Sequence, residues 1–252
     1  PDYQSEVTKF DNESKELGNW YVGQKQGEIW GYETYGLFQS EQEIAGAANQ
    51  DKVSGGIKLM PGDIRFVDRN NDGVIDWGDN TVDNPGDKKI IGNSTPRYHY
   101  GINLGADWKG FDLGIFFQGV GKRDLYLPGT SFRSHYGSEW QVPSAYNNDY
   151  WTEENTGAYF PRARFNGGSA INQAQTRYMV DASYCRLKSL SIGYTLPKVL
   201  TQKASIEKIR IYFTGENLFT ISDTPDGLDP ELDNPYTYPM QRSLSVGLSL
   251  TF

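Results

Sequence analysis

Leu244-Ser245-Val246-Gly247-Leu248-Ser249-Leu250-Thr251-Phe252 is the stretch on which the fold turns. Five large apolar residues, Leu244, Val246, Leu248, Leu250 and Phe252, alternate with Ser, Gly, Ser and Thr. A period of two is that of an extended strand whose faces meet different surroundings. The second face lacks the Lys, Glu and Arg that a water-facing sheet usually carries. Small, weakly polar groups suit a barrel wall, with lipid on one side and a crowded or watery lumen on the other. An amphipathic strand of a soluble β-sandwich has the same period and is the competing reading.

Further segments of strand character lie upstream. Arg97 to Asp107 alternates Tyr98, Tyr100, Ile102, Leu104 and Ala106, and Phe111 to Gly119 alternates Phe111, Leu113, Ile115 and Phe117. Trp108-Lys109-Gly110 between them predicts a tight hairpin turn. Tyr184 to Leu196 and Lys208 to Phe219 alternate in the same way, and Gly18 to Phe38 is rich in aromatics and Gly. Most of these run near the roughly 9–11 residues that a tilted strand needs to cross a bilayer. The connections alternate short and long. Membrane barrels have short periplasmic turns and long external loops. With Phe252 periplasmic, 220–239, 120–183 and 39–96 are external, and 197–207 and 108–110 periplasmic. A soluble sandwich has no reason to obey this parity. Six strands do not close a transmembrane barrel, for which about eight is the small end, so further strands are expected outside this chain.

Composition is compatible with that expectation. The 252 residues include 17 Tyr, 12 Phe, 6 Trp and 28 Gly. Mean hydropathy is -0.63, and no apolar run is long enough for a transmembrane helix. Barrel strands place apolar groups at every second residue, so their mean hydropathy resembles that of water-soluble chains. The net charge of -8 argues against nucleic acid, whose phosphates need a Lys/Arg surplus. A single cysteine, Cys185, excludes an internal disulfide and reads as a small buried hydrophobe. The start at Pro1 reads as that of a fragment or a processed piece.

The sharpest local motif is Asp68-Arg69-Asn70-Asn71-Asp72-Gly73-Val74-Ile75-Asp76-Trp77-Gly78-Asp79. It follows the calcium-loop pattern D-x-N-x-D-G. Asp68, Asn70 and Asp72 offer side-chain oxygens, Val74 its carbonyl, Asp76 a direct or water-mediated contact, and Asp79 the closing carboxylate. The twelfth position is Asp where the pattern has Glu, and the flanks are not those of a helix–loop–helix unit. An Asx-rich turn without an ion is the alternative. No enzyme is expected. The two histidines, His99 and His135, limit Ser-His and His-metal chemistry, and His99 lies in a strand as a wall or lumen residue. Trp140, Tyr146, Tyr150 and Trp151 belong to a long loop, where packing or contact with a partner protein is their expected use.

Together these residues carry a resemblance. Pro61-Gly-Asp-Ile-Arg-Phe-Val-Asp-Arg-Asn-Asn-Asp-Gly-Val-Ile-Asp76, Ile91-Gly-Asn-Ser-Thr-Pro-Arg-Tyr98, Tyr100-Gly-Ile-Asn-Leu104 and Trp108-Lys-Gly-Phe-Asp-Leu113 are similar to SusC/RagA-type TonB-dependent outer-membrane transporters. So are Gly31 to Ser40, Phe116 to Gly119, Tyr150 to Asn155, Asp181 to Pro197 and Gly215 to Thr220, in matching order and spacing. The terminal strand ending in Phe252 resembles the assembly signal of outer-membrane barrels. The resemblance implies an all-β fold: an antiparallel transmembrane β-barrel, typically of 22 strands and plugged, with this chain as its C-terminal part. It implies import of oligosaccharides or peptides, energised through TonB and assisted by a SusD-like surface lipoprotein. Lipid of the outer membrane would surround the wall, and the plug would lie outside this chain. No substrate residue is carried over by motif. The competing functions are a non-transport outer-membrane barrel and a soluble, calcium-stabilised, carbohydrate-binding β-sandwich.

Overall fold

The computed structural model describes residues 6–127, 136–137, 149–165, 170–201, 205–232 and 237–252. In chain order the strands are β1 (Glu28–Tyr32), β2 (Thr34–Leu37), β3 (Ile64–Phe66), β4 (Lys88–Asn93), β5 (Tyr98–Trp108), β6 (Phe111–Gly121), β7 (Asp124–Tyr126), β8 (Tyr136–Gly137), β9 (Arg164–Phe165), β10 (Met179–Asp181), β11 (Tyr184–Thr195), β12 (Lys208–Glu216), β13 (Thr220–Ser222) and β14 (Ser243–Thr251). Short helices α1 (Glu41–Ala45), α2 (Asp51–Ser54) and α3 (Lys198–Thr201) sit in the connections. The chain divides into two compact units, Pro1–Thr95 with Asp124–Val180, and Pro96–Arg123 with Asp181–Phe252.

The second unit is one antiparallel sheet in the order β14-β12-β11-β6-β5, with β13 pairing the start of β11. Its tightest connection is the two-residue turn between β5 and β6. Lys109 (φ 47°) and Gly110 (φ 91°) both take left-handed backbone, the geometry that matches the twist of a hairpin. A Cβ on Gly110 would meet the Thr195 carbonyl oxygen at 2.8 Å. Pairing of Trp108 with Phe111, Phe111 with Tyr194, Thr195 with Arg210 and Lys208 with Thr251 puts three features at one end of the sheet. These are the hairpin turn, the 196–207 connection and the chain end. The connections 122–183 and 217–242 leave from the opposite end. Within this sheet, then, short connections gather at one end and long ones at the other.

The first unit has its own core. Tyr32, Phe38, Val53, Ile64, Phe66, Ile75, Trp151 and Tyr178 are buried. Two buried amides tie its irregular backbone together, as enclosed polar groups require. Gln50 donates to the Ile64 carbonyl at 2.7 Å, and Gln175 donates to the Ala170 carbonyl at 3.0 Å and accepts from the Thr34 hydroxyl at 3.0 Å. α1 opens with an N-cap: Ser40 accepts from Glu43 N–H at 3.2 Å, and the Glu43 carboxylate reaches back past the cap to accept from Gln39 N–H at 2.9 Å.

The segment Gly18 to Phe38 departs from the strand expectation. It forms β1 and β2, which pair with β4 and β3 inside the first unit and not with the large sheet. Along and just after these strands its buried residues come in adjacent pairs, Gly31 with Tyr32 and Leu37 with Phe38, with Tyr21 buried alone upstream. Adjacent residues of a strand point to opposite faces, so this segment is enclosed on both sides and cannot be a two-faced wall.

Candidate functional site

Register across the large sheet sorts its side chains into two faces. On one face, cross-strand rows run Trp108, Phe111, Tyr194, Ile211, Leu248, then Ala106, Leu113, Ile192, Phe213, Val246, then Leu104, Ile115, Leu190, Gly215, Leu244. The gap at Gly215 is filled by the Leu218 side chain, whose Cδ2 lies 2.7 Å from where a Cβ would sit. Among the described residues of this unit no second layer covers these rows: Val246 is 78% exposed, Leu244 62% and Phe252 84%. A sandwich needs a second sheet about 10 Å away against such a face, so the soluble-sandwich reading has no structural support here. Leu250 pairs with Ile209 and continues the apolar face. The terminal residues read as barrel-closing thus form a complete apolar stripe, and the far edge of β14 carries no strand among the described residues.

The opposite face is small and polar. Its rows run Asp107, Asp112, Gly193, Tyr212, Gly247 and Gly105, Gly114, Ser191, Thr214, Ser245. Arg210 of β12 reaches Asp112 of β6 across β11, with Nη2–Oδ2 at 2.5 Å and Nε–Oδ1 at 2.9 Å. This two-pronged pair lies over Gly193, where a Cβ would collide with both side chains. The Tyr212 ring likewise occupies the space above Gly247. His99 pairs with Val120 on this face, a wall position. Half-buried Cys185 pairs with Gly119 on the apolar face. His135, Trp140 and Tyr146 lie outside the described residues.

A buried ionic cluster, which no spacing rule flagged, sits where β11 meets 217–242. Arg186 donates to Asp229 (2.5 Å), Glu231 (2.6 Å) and the Thr220 hydroxyl (2.7 Å), and Lys188 pairs with Glu231 at 2.8 Å. The side chains of Arg186 and Asp229 are 4% and 5% exposed. A register shift between Leu187 and Ser189 leaves Lys188 as an extra residue, a bulge that re-aims it. Burial works to raise the Asp229 pKa. The Arg186 bond and the Glu231 and Met240 N–H groups outweigh it and hold the carboxyl below its ordinary value.

The Asp-rich turn lies in the first unit. Its side chains mostly hold its own backbone. Asp68 accepts from Asn71 N–H (2.7 Å) and Gly73 N–H (2.9 Å), Asn70 from Asp72 N–H (3.1 Å), and Asp72 from Val74 N–H (2.8 Å). Gly73 takes φ 84°, the sharp turn that the pattern expects. Asp76 is paired to Lys52 at 2.6 Å, and Asp79 accepts from Asn84 at 2.8 Å. The Lys52 hydrogen bond holds the Asp76 pKa below its ordinary value. Among the described residues no three of His, Cys, Asp and Glu gather as a metal-holding group. Asp68, Asn70 and Asp72 hold an Asx-rich turn, with Asp76 and Asp79 engaged by Lys52 and Asn84.

The closure comes from a residue outside the motif. Asp87 is fully buried and accepts from Arg69 N–H at 2.7 Å and Asp76 N–H at 2.8 Å, bridging both arms of the turn. Desolvation pushes its carboxyl above the ordinary value. Trp151 is buried in the same unit, donating its indole N–H to Gln39 at 3.2 Å beneath the Arg162 guanidinium. It packs the loop, as expected, while Tyr150 is half-exposed.

No family model matches the chain. Individual proteins do. TonB-dependent receptor P3 of Formosa agariphila is 32% identical over 248 residues, covering 91% of this chain and 22% of that receptor. TonB-dependent receptor SusC of Bacteroides thetaiotaomicron is 29% identical over 194 residues, covering 74% of this chain and 17% of SusC. Among solved structures, the RagAB peptide transporter superposes with a TM-score of 0.68 at 22% identity, over 99% of this chain and 26% of that one. The RagAB peptide importer in its open-open state gives 0.65 at 21% identity. The chain spans about a quarter of the length of these relatives. With its mostly antiparallel β architecture, this chain belongs to the SusC/RagA-type TonB-dependent receptors, a non-enzymatic family of the bacterial outer membrane, and corresponds to a part of one.

Proposed function

We infer that this chain supplies part of the wall and part of the outer loop structure of a large plugged barrel, of about 22 strands, that imports oligosaccharides or peptides. The observation that carries the reading is the two-faced, single-layer sheet, with apolar rows crossing five strands and small or polar rows behind them. Lipid takes the apolar face and the transport lumen the other. The free edge of β14 pairs with a first barrel strand from the rest of the protein. The long connections 39–96 and 120–183 face outward and meet a SusD-like lipoprotein. Energy reaches the barrel from TonB through the part of the receptor beyond this chain. Peptide as cargo is favoured by the RagAB likeness.

Deleting the gene of the full receptor tests this. Uptake of a defined glycan or peptide mixture should fall to background, and restoring the receptor should restore it, while affinity capture of the receptor should bring down a surface lipoprotein. Undiminished uptake of every cargo would sink import and leave a non-transport barrel. Calcium at Asp68, Asn70, Asp72 and the Val74 carbonyl is a second proposal, supported by the ligand spacing and the left-handed Gly73. For the full set to close, Asp76 must leave Lys52 and Asp79 must leave Asn84. Calorimetric titration of the receptor with calcium should give saturable heat that Asp72→Ala abolishes; identical heats would reject the ion.

A further inference from the structure

We propose that Asp223–Leu232, which follows strand β13, is a fixed strap laid across the lumenal face of the wall, narrowing the import path beside β11, and not a flap standing out from the rim. The inference rests on the wall reading, since it takes the polar face as lumenal. Arg186 pairs with Gln118 on that face, opposite Leu187 and Phe117. The carboxylates that meet Arg186, Asp229 and Glu231, come from the strap. Leu228, Asp229 and Pro230 are buried, and Arg123 donates to the Pro230 carbonyl at 3.0 Å. The strap departs from the sheet itself: Thr220 of β13 pairs with Arg186 of β11, and Leu187 N–H donates to the Phe219 carbonyl at 3.0 Å beside that pair.

The strap is also braced within itself. Leu228 N–H donates to the Pro225 carbonyl at 3.0 Å, the Thr224 hydroxyl to the Leu228 carbonyl at 3.2 Å, and Met240 N–H to Asp229 at 2.9 Å. A hollow of about 330 Å³ lies along the strap, lined by Thr224, Leu228, Asp229 and Arg242, with Arg186 of β11 at its side. The exposed tip carries Asp223 and Asp226. Lumenal charges tune which cargo passes a barrel, so these two carboxylates are placed to disfavour anionic cargo. An enclosed Arg with three partners is costly to break, because loss of one carboxylate leaves charge buried and unpaired. That cost is what fixes the strap.

The test is size-selective labelling of the full-length, detergent-solubilised receptor, otherwise free of cysteine, carrying Asp226→Cys. A small charged maleimide should react, and a maleimide on a long polyethylene glycol chain should not. A control at Tyr35→Cys, on the exposed surface of the first unit, should react with both. Arg186→Met, or the near-isosteric Asp229→Asn if the first does not fold, should open Asp226→Cys to the large reagent. Reaction with both reagents in the parent overturns the strap. Exclusion of the large reagent that survives both variants overturns the pinning by Arg186. Reaction with neither overturns an exposed tip. The wall reading is tested separately by a bimane on Leu248→Cys, which brominated lipid should quench. No quenching sinks the wall reading whatever the labelling shows.

Discussion

Gly193 shows how much a single missing side chain carries. The Asp112–Arg210 pair spans three strands because nothing rises from β11 between them. Valine has the higher strand propensity, yet Gly193→Val should destabilise the receptor by about 1–3 kcal/mol, the range for a side chain forced into occupied space. Urea unfolding in detergent measures it. In a background where Asp112 and Arg210 are already Asn and Gln, the penalty should shrink, and an unchanged penalty would show that the ion pair is irrelevant. Asp87 makes a prediction of opposite electrostatic sense. Its folded pKa is raised by burial, so the folded state binds its proton more readily than the unfolded state. The stabilisation from that proton is complete below the ordinary carboxylate pKa and is lost as pH rises through the raised value. Asp76, whose pKa is lowered by Lys52, contributes stability above the ordinary range and loses it as pH falls through its own depressed value. Between the ordinary and raised pKa values of Asp87, acidification should therefore increase the protection of the Arg69 and Asp76 amides, measured as exchange relative to the intrinsic rate at each pH. Asp87→Asn should abolish that pH response and speed exchange throughout; an unchanged pH profile would remove Asp87 as the clasp. The Asp68–Asp79 pattern was legible because its ligands recur at every second residue. Asp87 was not, because its role depends on a tertiary approach that no local spacing encodes.

Elements were legible in proportion to how two-faced they are. β5, β6, β11, β12 and β14 each separate one apolar face from one small or polar face, and the sequence shows them as alternation. β1 and β2 are enclosed on both sides, so their composition resembles a wall while their phase does not. The Arg186 cluster was hidden for a related reason: β11 carries an extra residue at Lys188, and its partners lie beyond a separate strand. The β5–β6 turn, in contrast, was readable from Gly110 alone, and it yields a paired prediction. Lys109 holds φ 47° at a cost that Asn bears more easily. Lys109→Asn should therefore raise the folded fraction slightly. Gly110→Val should lower stability by about 1–2 kcal/mol from its left-handed backbone, with more from the close approach of the Thr195 carbonyl. Heat-modifiability of the receptor on semi-native gels separates folded from unfolded barrel, and equal mobility shifts for both variants would contradict the turn assignment.

For the whole molecule, the decisive property is that the same sheet presents two incompatible surfaces. In water, the apolar rows from Leu104 to Leu244 and from Trp108 to Leu248 would be an aggregation-prone surface. In a bilayer they are the solvent-matched surface. The sequence carried this through alternation and loop parity. It did not carry closure: among the described residues the sheet is open, with β14 and β5 at its edges. Neighbouring residues at the middle of the central strand separate the two surroundings most sharply. Ile192 is on the apolar face between Leu113 and Phe213, and Ser191 is on the other face between Gly114 and Thr214. Arginine on a lipid-facing barrel position costs about 2–4 kcal/mol near the bilayer midplane, whereas lumen positions accept charge. Ile192→Arg should therefore lower the amount of folded receptor in the outer membrane severalfold, while Ser191→Arg, with Gly114 leaving room beside it, should accumulate normally and alter cargo preference. If the two variants accumulated equally, lipid would not be touching the Ile192 face. If Ser191→Arg alone were lost, the faces would be reversed. Because the two positions share strand, depth and substituent, a difference between them reports the face and not the element.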